Sequence, residues 1–484
     1  MRFDKALLKS VLSDVEALGE IPDVDLGFSV DSRTVSENEV FIALEGQKAD
    51  GHDFLNQALN SGASGFLIKI SEKERLSFLN SEELNKKFVI LVSDTFDAVL
   101  SLAKFWREKF EYPVVGITGS VGKTSTKEIL ANICRASGKN VLVSKGNQNT
   151  LLGVALNILK MNEEHSAAIF EVGINKRGEM AQIIDLLRPT LGVITSVGHS
   201  HMEGLGSLAD VTFEKRNIFR LFKEDHIGII NGDADHLSKI GYAHPVVRFG
   251  CKTTNQIQAR KIKVSSFGID FFLKIYKKKF PVHLETIHAG YIYNTLAASA
   301  AACVLGIPEE KIIEGISKPL KIVGRFEKKE LASGQGFLID DCYNANPESV
   351  KEALLAFERI QTDYEKVVVL SDMNELGVDS AFWHRQIGRF LRKINSLHKV
   401  ILVGNKIKWV KKTLPPGVKA LCYNHWEEAK NDIDQLMNTQ KLCILVKGST
   451  FGYTSGLSDL VRSLTDSKFK SSIQNKLQEQ RNTI

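Results

Sequence analysis

The densest chemical signal in the chain is a glycine turn followed by a lysine and a threonine. Residues 113–118 form an apolar run of strand length, and Gly119, Ser120, Val121 and Gly122 form a tight turn. Lys123 and Thr124 then open a helical pattern carried by Ile129, Leu130, Ile133 and Cys134. This order suits a polyphosphate: small residues let backbone N–H groups approach phosphate oxygens, the helix N-terminus adds partial positive charge, and Lys and Thr supply a cation and a metal ligand. The strict phosphate-loop pattern has a further glycine where this chain has Ile117, so the loop is a variant. The alternative is a turn that merely joins strand to helix.

Three more places hold residues with chemical potential. Glu171 ends the apolar run 167–170, and in an open parallel sheet a strand end faces the ligand crevice. A carboxylate there holds Mg²⁺ against nucleotide oxygens, or it is a solvated strand-end acid. His199 and His201 follow the apolar run 191–197 beside a glycine-rich turn, as metal ligands or as loop caps. Lys215 falls on a helical apolar stripe with Val211, Ile218 and Phe222. Snorkelling to solvent is the simpler reading; desolvation with a lowered pKa is the other.

The elements that must position these groups follow from length and pattern. At 484 residues the chain exceeds one hydrophobic core and suggests about three domains. The composition, 43% hydrophobic and 25% charged, is that of an ordinary soluble protein. A net charge of +6 without a run of five or six basic residues gives no indication of a nucleic-acid partner and suits anionic small substrates. Six scattered cysteines lack paired spacing, which argues for reduced core thiols and no zinc site. Residues 1–19 are charged throughout, and the longest weakly polar run, 296–307, is far short of the ~20 residues that span a bilayer. A cytoplasmic protein without membrane insertion is expected, acting as a monomer.

Periodicity predicts an amphipathic helix over 3–18, strands at 27–30, 40–44 and 65–70, and a helical stretch at 54–61, making a small α/β domain over 1–112. From 113 to 320, strand runs at 113–118, 167–172, 191–197 and 226–231 alternate with helical patterns. That rhythm implies a mainly parallel sheet covered on both faces, with an antiparallel extension over 246–286 and a helix at 294–305. Apolar runs at 336–340, 366–370, 399–403 and 442–446 predict a second, Rossmann-like doubly wound α/β domain over 321–465, followed by a polar tail at 466–484.

Taken together, Thr118–Thr124, Glu171–Asn175, His201–Ser207 and Lys215 resemble the Mur ligases, the ATP-dependent amide-forming enzymes of peptidoglycan synthesis, whose wider superfamily includes folylpolyglutamate synthases. Asp31–Arg33, Asp50–Phe54, Gly146–Asn149, Asp340–Pro347, Ser371–Gly377 and Val446–Ser449 are similar to the family members that join D-alanyl-D-alanine to UDP-N-acetylmuramoyl-tripeptide. Sister ligases that add the third amino acid typically show Tyr-Ala-His-Thr-Pro where this chain has Tyr343–Pro347, and Asp-Asn-Pro-Arg further on; neither occurs here. The rivals are such a sister ligase, a folylpolyglutamate-type enzyme, or a nucleotide-binding regulatory protein that has lost catalysis.

The resemblance implies roles by position. Ser32 and Arg33 lie at the uridine-nucleotide site, and Asn147 and Asn149 contact the UDP-muramoyl substrate. Thr118, Gly119, Ser120, Val121, Gly122, Lys123 and Thr124 cradle the ATP phosphates. Thr124 and Glu171 hold one Mg²⁺, and His201 with a carbamylated Lys215 serves a second. Asn294 meets the adenine, Arg325 the γ-phosphate and Asp341 the ribose. Tyr343, Asn344, Asn346, Asp372 and Lys447 belong to the ATP and dipeptide surfaces of the C-terminal domain. Four departures stand out: Gly290-Tyr291 replaces a His-Asn pair, Thr150 replaces an Asn, Asn217 replaces a Glu, and Thr450–Tyr453 follows the Lys-Gly-Ser segment where Arg and Met are usual.

Overall fold

The computed structural model describes residues 1–46, 49–77, 86–320, 322–449 and 456–466. The polar tail expected from 466 onward lies outside the described residues except for Asp466, as does the Thr450–Tyr453 departure.

Three sheets follow one another along the chain. The first contains β1 (Glu16–Leu18), β2 (Gly27–Ser29), β3 (Glu39–Ile42), β4 (Gly65–Lys69) and β5 (Phe88–Val92), in the order β1-β5-β4-β3-β2. Its pairs are parallel except β1 with β5. The helix expected over 3–18 runs only from Lys5 to Val11. Asp14 takes a left-handed backbone (φ 53°), which no helix continues through, and residues 16–18 pair with β5 instead. The helix Thr95–Arg107 leads out of this sheet. Arg107, buried at its end, donates to the carbonyls of Phe110, Leu187 and Arg188 and so ties the first unit to the second.

The central sheet has nine strands: β6 (Val114–Thr118), β7 (Val141–Val143), β8 (Ala167–Glu171), β9 (Leu191–Ile194), β10 (Ile227–Asn231), β11 (Val246–Gly250), β12 (Ile257–Ser265), β13 (Gly268–Ile275) and β14 (Lys278–Leu284). Their order is β14-β13-β12-β11-β10-β9-β6-β8-β7, parallel from β7 to β12 and antiparallel from β12 to β14. The near-continuous apolar runs of β6 and β8 have a physical cause. Alternate residues enter opposite cores, with Val115, Ile117 and Ile169 on one side and Val114, Ala168 and Phe170 on the other. The helices Lys123–Ala136 and Gly290–Val304 cover the first face, and Leu151–Ile158 and Glu179–Leu187 the second.

The third sheet, β15 (Glu327–Glu330), β16 (Gly336–Asp341), β17 (Glu365–Ser371), β18 (Leu397–Val403), β19 (Lys419–Tyr423) and β20 (Leu442–Lys447), is ordered β15-β16-β20-β17-β18-β19 and is parallel except for β15. It too has a core on each face. The α/β class, the doubly covered central sheet and the Rossmann-like third unit are as expected from the pattern. Among the described residues, all six cysteines are free thiols and no helix is long and apolar enough to cross a membrane.

Candidate active site

Parallel strands deliver their following loops to one edge, so residues far apart in sequence meet beyond the strand ends. After β6 comes the glycine turn, after β7 the segment 144–150, after β8 Gly173–Asn175, and after β9 the segment 195–201. The third sheet turns its own carboxyl ends the same way: Tyr343–Asn346 follows β16, Asn374–Glu375 follows β17, and Ser449 follows β20. Together they line a cleft of about 700 Å³.

The turn is built for close approach. Gly119 and Gly122 have φ of 150° and 89°, and a Cβ on them would lie 2.0 Å from Thr195 Oγ1 and 2.2 Å from Asn294 Oδ1, so only glycine fits either place. Ser120 and Val121 donate their amides to Ser196 at 3.0 and 2.9 Å, which braces the turn against the loop after β9. Those two amides are therefore engaged within the protein. The first N–H groups of the helix that starts at Lys123 have no intrahelical acceptor, and Lys123 itself lines the cleft. Lys123 Nζ donates to Gly119 O at 2.8 Å. Burial lowers its amine pKa, Glu171 opposes that shift and Arg325 adds to it.

Glu171 is 1% exposed, and each of its oxygens is claimed. Oε2 accepts from Thr124 Oγ1 and Oε1 from Asn149 Nδ2, both at 2.8 Å. Its own amide donates to Ser144 Oγ at 3.0 Å. The segment that carries Asn147 and Asn149 is held from beneath by Lys127, which sequence reasoning overlooked. This fully buried amine donates to Ser144 O at 2.7 Å and Gly146 O at 3.1 Å. The signal was available: Leu130, Ala131 and Cys134 stand three, four and seven residues on, so Lys127 shares their buried stripe.

From the third unit, the Arg325 guanidinium lies 3.9 Å from the centre of the Tyr343 ring. The Tyr343 hydroxyl hydrogen-bonds Asn147, joining the two units across the cleft, and burial followed by the Glu171 charge raises its pKa. Lys447, 2% exposed, fixes the Tyr343 loop by pairing with Asp341 at 2.9 Å and donating to Asn344 O at 2.7 Å. Asn346 caps the helix Pro347–Glu358 through Ser349 N at 2.8 Å.

The two histidines act as bridges. His201 has a left-handed backbone (φ 58°) and places Nδ1 2.6 Å from Glu375 Oε2, itself on a left-handed residue (φ 63°). Burial works to raise the Glu375 carboxyl, and the His201 contact with the Lys123 charge outweighs it and holds the pKa below its usual range. His199 Nδ1 lies 2.7 Å from Glu348 Oε1, and its ring packs on Trp383 at 4.1 Å. Glu375 and Glu348 are partners that periodicity did not reveal, because the pairing spans two sheets.

A second, smaller pocket sits behind Gly122 and Thr124, lined among others by His288, Tyr291, Asn294, Phe326, Asp341 and Lys447. Here Tyr291 donates to Arg325 O at 3.3 Å, and His288 accepts Gly290 N at 3.2 Å and meets the Phe326 ring edge-on at 5.1 Å. Burial brings the His288 pKa down to about 4. The Gly290-Tyr291 departure thus comes with a neutral histidine two residues upstream.

Thr124, Asn294 and Asp341 line the smaller pocket, while Thr118, Gly119, Ser32, Arg33, Asp372 and Lys215 line neither. Ser32 donates to Gln57 Oε1 at 2.7 Å in the first unit, and exposed Arg33 folds back on Asp31, whose pKa it brings down to about 2. Asp372 spends its carboxylate on the amides of Asn405 and Ile407, at 3.2 and 2.6 Å. Lys215, in the helix Leu208–Arg216, is 1% exposed and does not snorkel. Burial, then the nearby Lys123 charge, drive its amine pKa well below normal against the opposing Glu214, and no ion pair of Lys215 occurs among the described residues.

Comparison with known proteins agrees across all three units. Residues 27–93 match the description "Mur ligase family, catalytic domain", 117–302 match "Mur ligase middle domain", and 324–450 match "Mur ligase, glutamate ligase domain". The chain is 31% identical over 460 residues to a UDP-N-acetylmuramoyl-tripeptide–D-alanyl-D-alanine ligase of Escherichia coli, covering 93% of this chain and 96% of that one. It is 34% identical over 365 residues to the enzyme of the same name from Bacillus subtilis, covering 75% and 76%. Among solved structures, MurF of Acinetobacter baumannii superposes with a TM-score of 0.77 at 26% identity, covering 93% and 95%. MurF of Thermotoga maritima in complex with ADP gives 0.71 at 26% identity, covering 88% and 94%. Matched in each of its three sheets, and aligned over nearly its whole length with relatives of one kind, the chain belongs to the Mur ligase family.

Proposed function

We propose that this chain is an ATP-dependent ligase that joins D-alanyl-D-alanine to UDP-N-acetylmuramoyl-tripeptide, giving the UDP-muramoyl-pentapeptide precursor of peptidoglycan. The observation that carries the reading is the single cleft in which the phosphate turn, Glu171 with Asn149, and the Arg325–Tyr343 pair converge. Its relatives bear the names of ligases for this reaction, and one was solved with ADP.

In the proposed reaction the tripeptide's terminal carboxylate attacks the ATP γ-phosphorus, the bond to the bridging oxygen breaks, and ADP leaves. The dipeptide amine then attacks the acyl carbon. The tetrahedral adduct expels inorganic phosphate, which carries away the amine proton. Lys123 and Arg325 offset the charge spreading over the transferring group, the dominant contribution in phosphoryl transfer. Asn147 and Asn149 orient the muramoyl peptide, and Tyr343, Asn344 and Asn346 border the amine acceptor. The small pocket with Asn294 and Asp341 takes the nucleoside. Ser32 and Arg33 serve the uridine nucleotide in the first unit. Asp372 contributes by holding the loop beneath the dipeptide surface.

The donor set at Thr124 and Glu171 fits Mg²⁺: a hydroxyl and a carboxylate oxygen 2.8 Å apart are hard oxygen ligands. Bound there, the ion neutralises phosphate charge. A second ion at His201 and Lys215 fits only if Lys215 is carbamylated, because an amine is not a Mg²⁺ ligand and a carbamate is. The desolvated, unpaired Lys215 amine supports that modification.

We further assign residues 1–112 to UDP-substrate binding, 113–320 to ATP binding and ligation, and 321–465 to a Rossmann-like unit, in a cytoplasmic monomer. An ATP-hydrolysis assay with D-alanyl-D-alanine and each UDP-muramoyl peptide tests the function. ADP release that depends on the dipeptide and the tripeptide substrate is expected. Release driven instead by diaminopimelate, lysine or glutamate assigns a sister ligase or a folylpolyglutamate-type enzyme, and no turnover with any acceptor sinks the ligase reading.

A further inference from the structure

The antiparallel ribbon at the edge of the central sheet has two unlike faces. Phe271, Leu273, Ile275, Val282 and Leu284 point inward to the core shared with the helix Gly290–Val304. The outward face and its turns carry Lys261, Lys263, Lys274, Lys277 and Lys279, and none of these five makes an ion pair among the described residues. Asp270 is the carboxylate on this face, and His283 holds it at 2.9 Å. Apolar rings stand among the lysines: Phe272 is 39% exposed, Tyr276 52%, and Phe267, at the tip of the β12–β13 turn, 86%. A register shift between Arg260 and Lys263, with Lys261 at φ 52°, swings Lys261 out over the Phe272 ring at 5.8 Å.

A solvated sheet face and an edge strand kept soluble by lysines account for the charge. They do not account for the exposed Phe272 ring on that face or for the exposed Phe267 and Tyr276 rings in the turns at the two ends of β13. We propose that this ribbon docks on the surface of an anionic phospholipid bilayer, with the lysines over the headgroups and Phe267 and Tyr276 inserted at the interface. Charge complementarity is the basis: cations without ion-pair partners among the described residues, spread over the ribbon's outward face, match a diffuse anionic surface. The cations are lysines, strongly hydrated point charges suited to such a surface. Arg260, the guanidinium of the patch, is committed to Gln258 and to Cys251 O rather than offering the planar fork that phosphodiester recognition favours. Exposed aromatics in the turns that bound such a patch have the amphipathic placement found at membrane interfaces. The patch escapes any search for basic runs, because three strands and two turns assemble it. At about 4.8 Å per strand, β13 lies five places, roughly 24 Å, from β6, so docking leaves the cleft free.

The test is sedimentation of the full-length chain with vesicles of phosphatidylglycerol and phosphatidylcholine, and with phosphatidylcholine alone. Partitioning to the anionic vesicles at least tenfold above the neutral ones is expected, lost as salt shortens the Debye length from about 10 Å at 0.1 M to about 3 Å at 1 M. Combined Lys261→Glu, Lys263→Glu and Lys274→Glu should lower partitioning more than tenfold, and Phe267→Ser severalfold, while ATP turnover in solution stays at the parent level and certifies folding. Equal sedimentation of the triple variant, equal binding to neutral vesicles, or capture by RNA or heparin without vesicle binding overturns the proposal.

Discussion

Thr124 and Glu171, 47 residues apart, share a hydrogen bond of 2.8 Å in which the threonine hydroxyl donates to Glu171 Oε2. Asn149 takes the other oxygen, so a buried carboxylate joins the phosphate turn to the segment that carries Asn147. Glu171→Gln keeps the size and removes the charge. Turnover should drop about 10²–10³-fold, the loss typical of one electrostatic contact in a transition state, with a higher Mg²⁺ requirement and unchanged thermal unfolding. A Mg²⁺ titration of steady-state rates reads both.

Lys123 lies along the turn, with its amine on Gly119 O. Lys123→Ala should abolish dipeptide-dependent ADP formation while leaving the circular dichroism spectrum intact. Turnover retained within tenfold of the parent contradicts its place at the transferring phosphate.

Lys127 supports the substrate loop through the buried carbonyl of Ser144 and the more exposed carbonyl of Gly146. Lys127→Met leaves the buried Ser144 acceptor without its donor, at a cost of about 1–3 kcal/mol. A lower denaturation midpoint is expected, with KM for the UDP-muramoyl substrate rising more than kcat falls, because Asn147 and Asn149 lose their support. A KM equal to that of the parent restricts Lys127 to stability.

Lys215 is buried beside Lys123 with its amine pKa driven well below normal. An amine lowered in this way gives up its proton more readily than an exposed lysine, and its neutral form adds CO₂ with release of one proton. Native mass spectrometry should show a fraction of molecules heavier by one CO₂, and activity should fall in CO₂-depleted buffer. Lys215→Ala should lose most of its turnover and regain part of it with added short carboxylates; absence of rescue argues against the carbamate.

His288 is neutral in the fold, with its pKa brought from the ordinary 6.5 to about 4 by burial. The unfolded chain therefore binds a proton between those values that the folded chain does not, so stability rises with pH across that window and the deficit is complete below about pH 4. Comparing unfolding midpoints of the parent and His288→Gln from pH 4 to 7 should show a shallower slope in the variant. Parallel curves exclude His288 as a source of acid sensitivity.

How much was legible in advance differs element by element. Strands β6 and β8, the glycine turn and the position of Glu171 could be read because each is encoded locally: a strand buried on both faces must be apolar throughout, and a turn with φ of 89° at Gly122 needs glycine. Apolar spacing through Val15 extends the first helix beyond its true end, because spacing says nothing of the left-handed backbone at Asp14 or of pairing with β5.

Order along the chain sufficed for the α/β class, the phosphate turn and the family resemblance, since those depend on residue type at fixed spacing. What lies across space was decided by the tertiary structure. Only packing shows that His201 meets Glu375, that Asp372 belongs to a loop rather than to the cleft, and that Lys215 is sealed from solvent. The reason is physical: burial, pKa and ion pairing depend on neighbours brought together by sheet topology, and the loops that form the cleft come from strand ends scattered between residues 118 and 449.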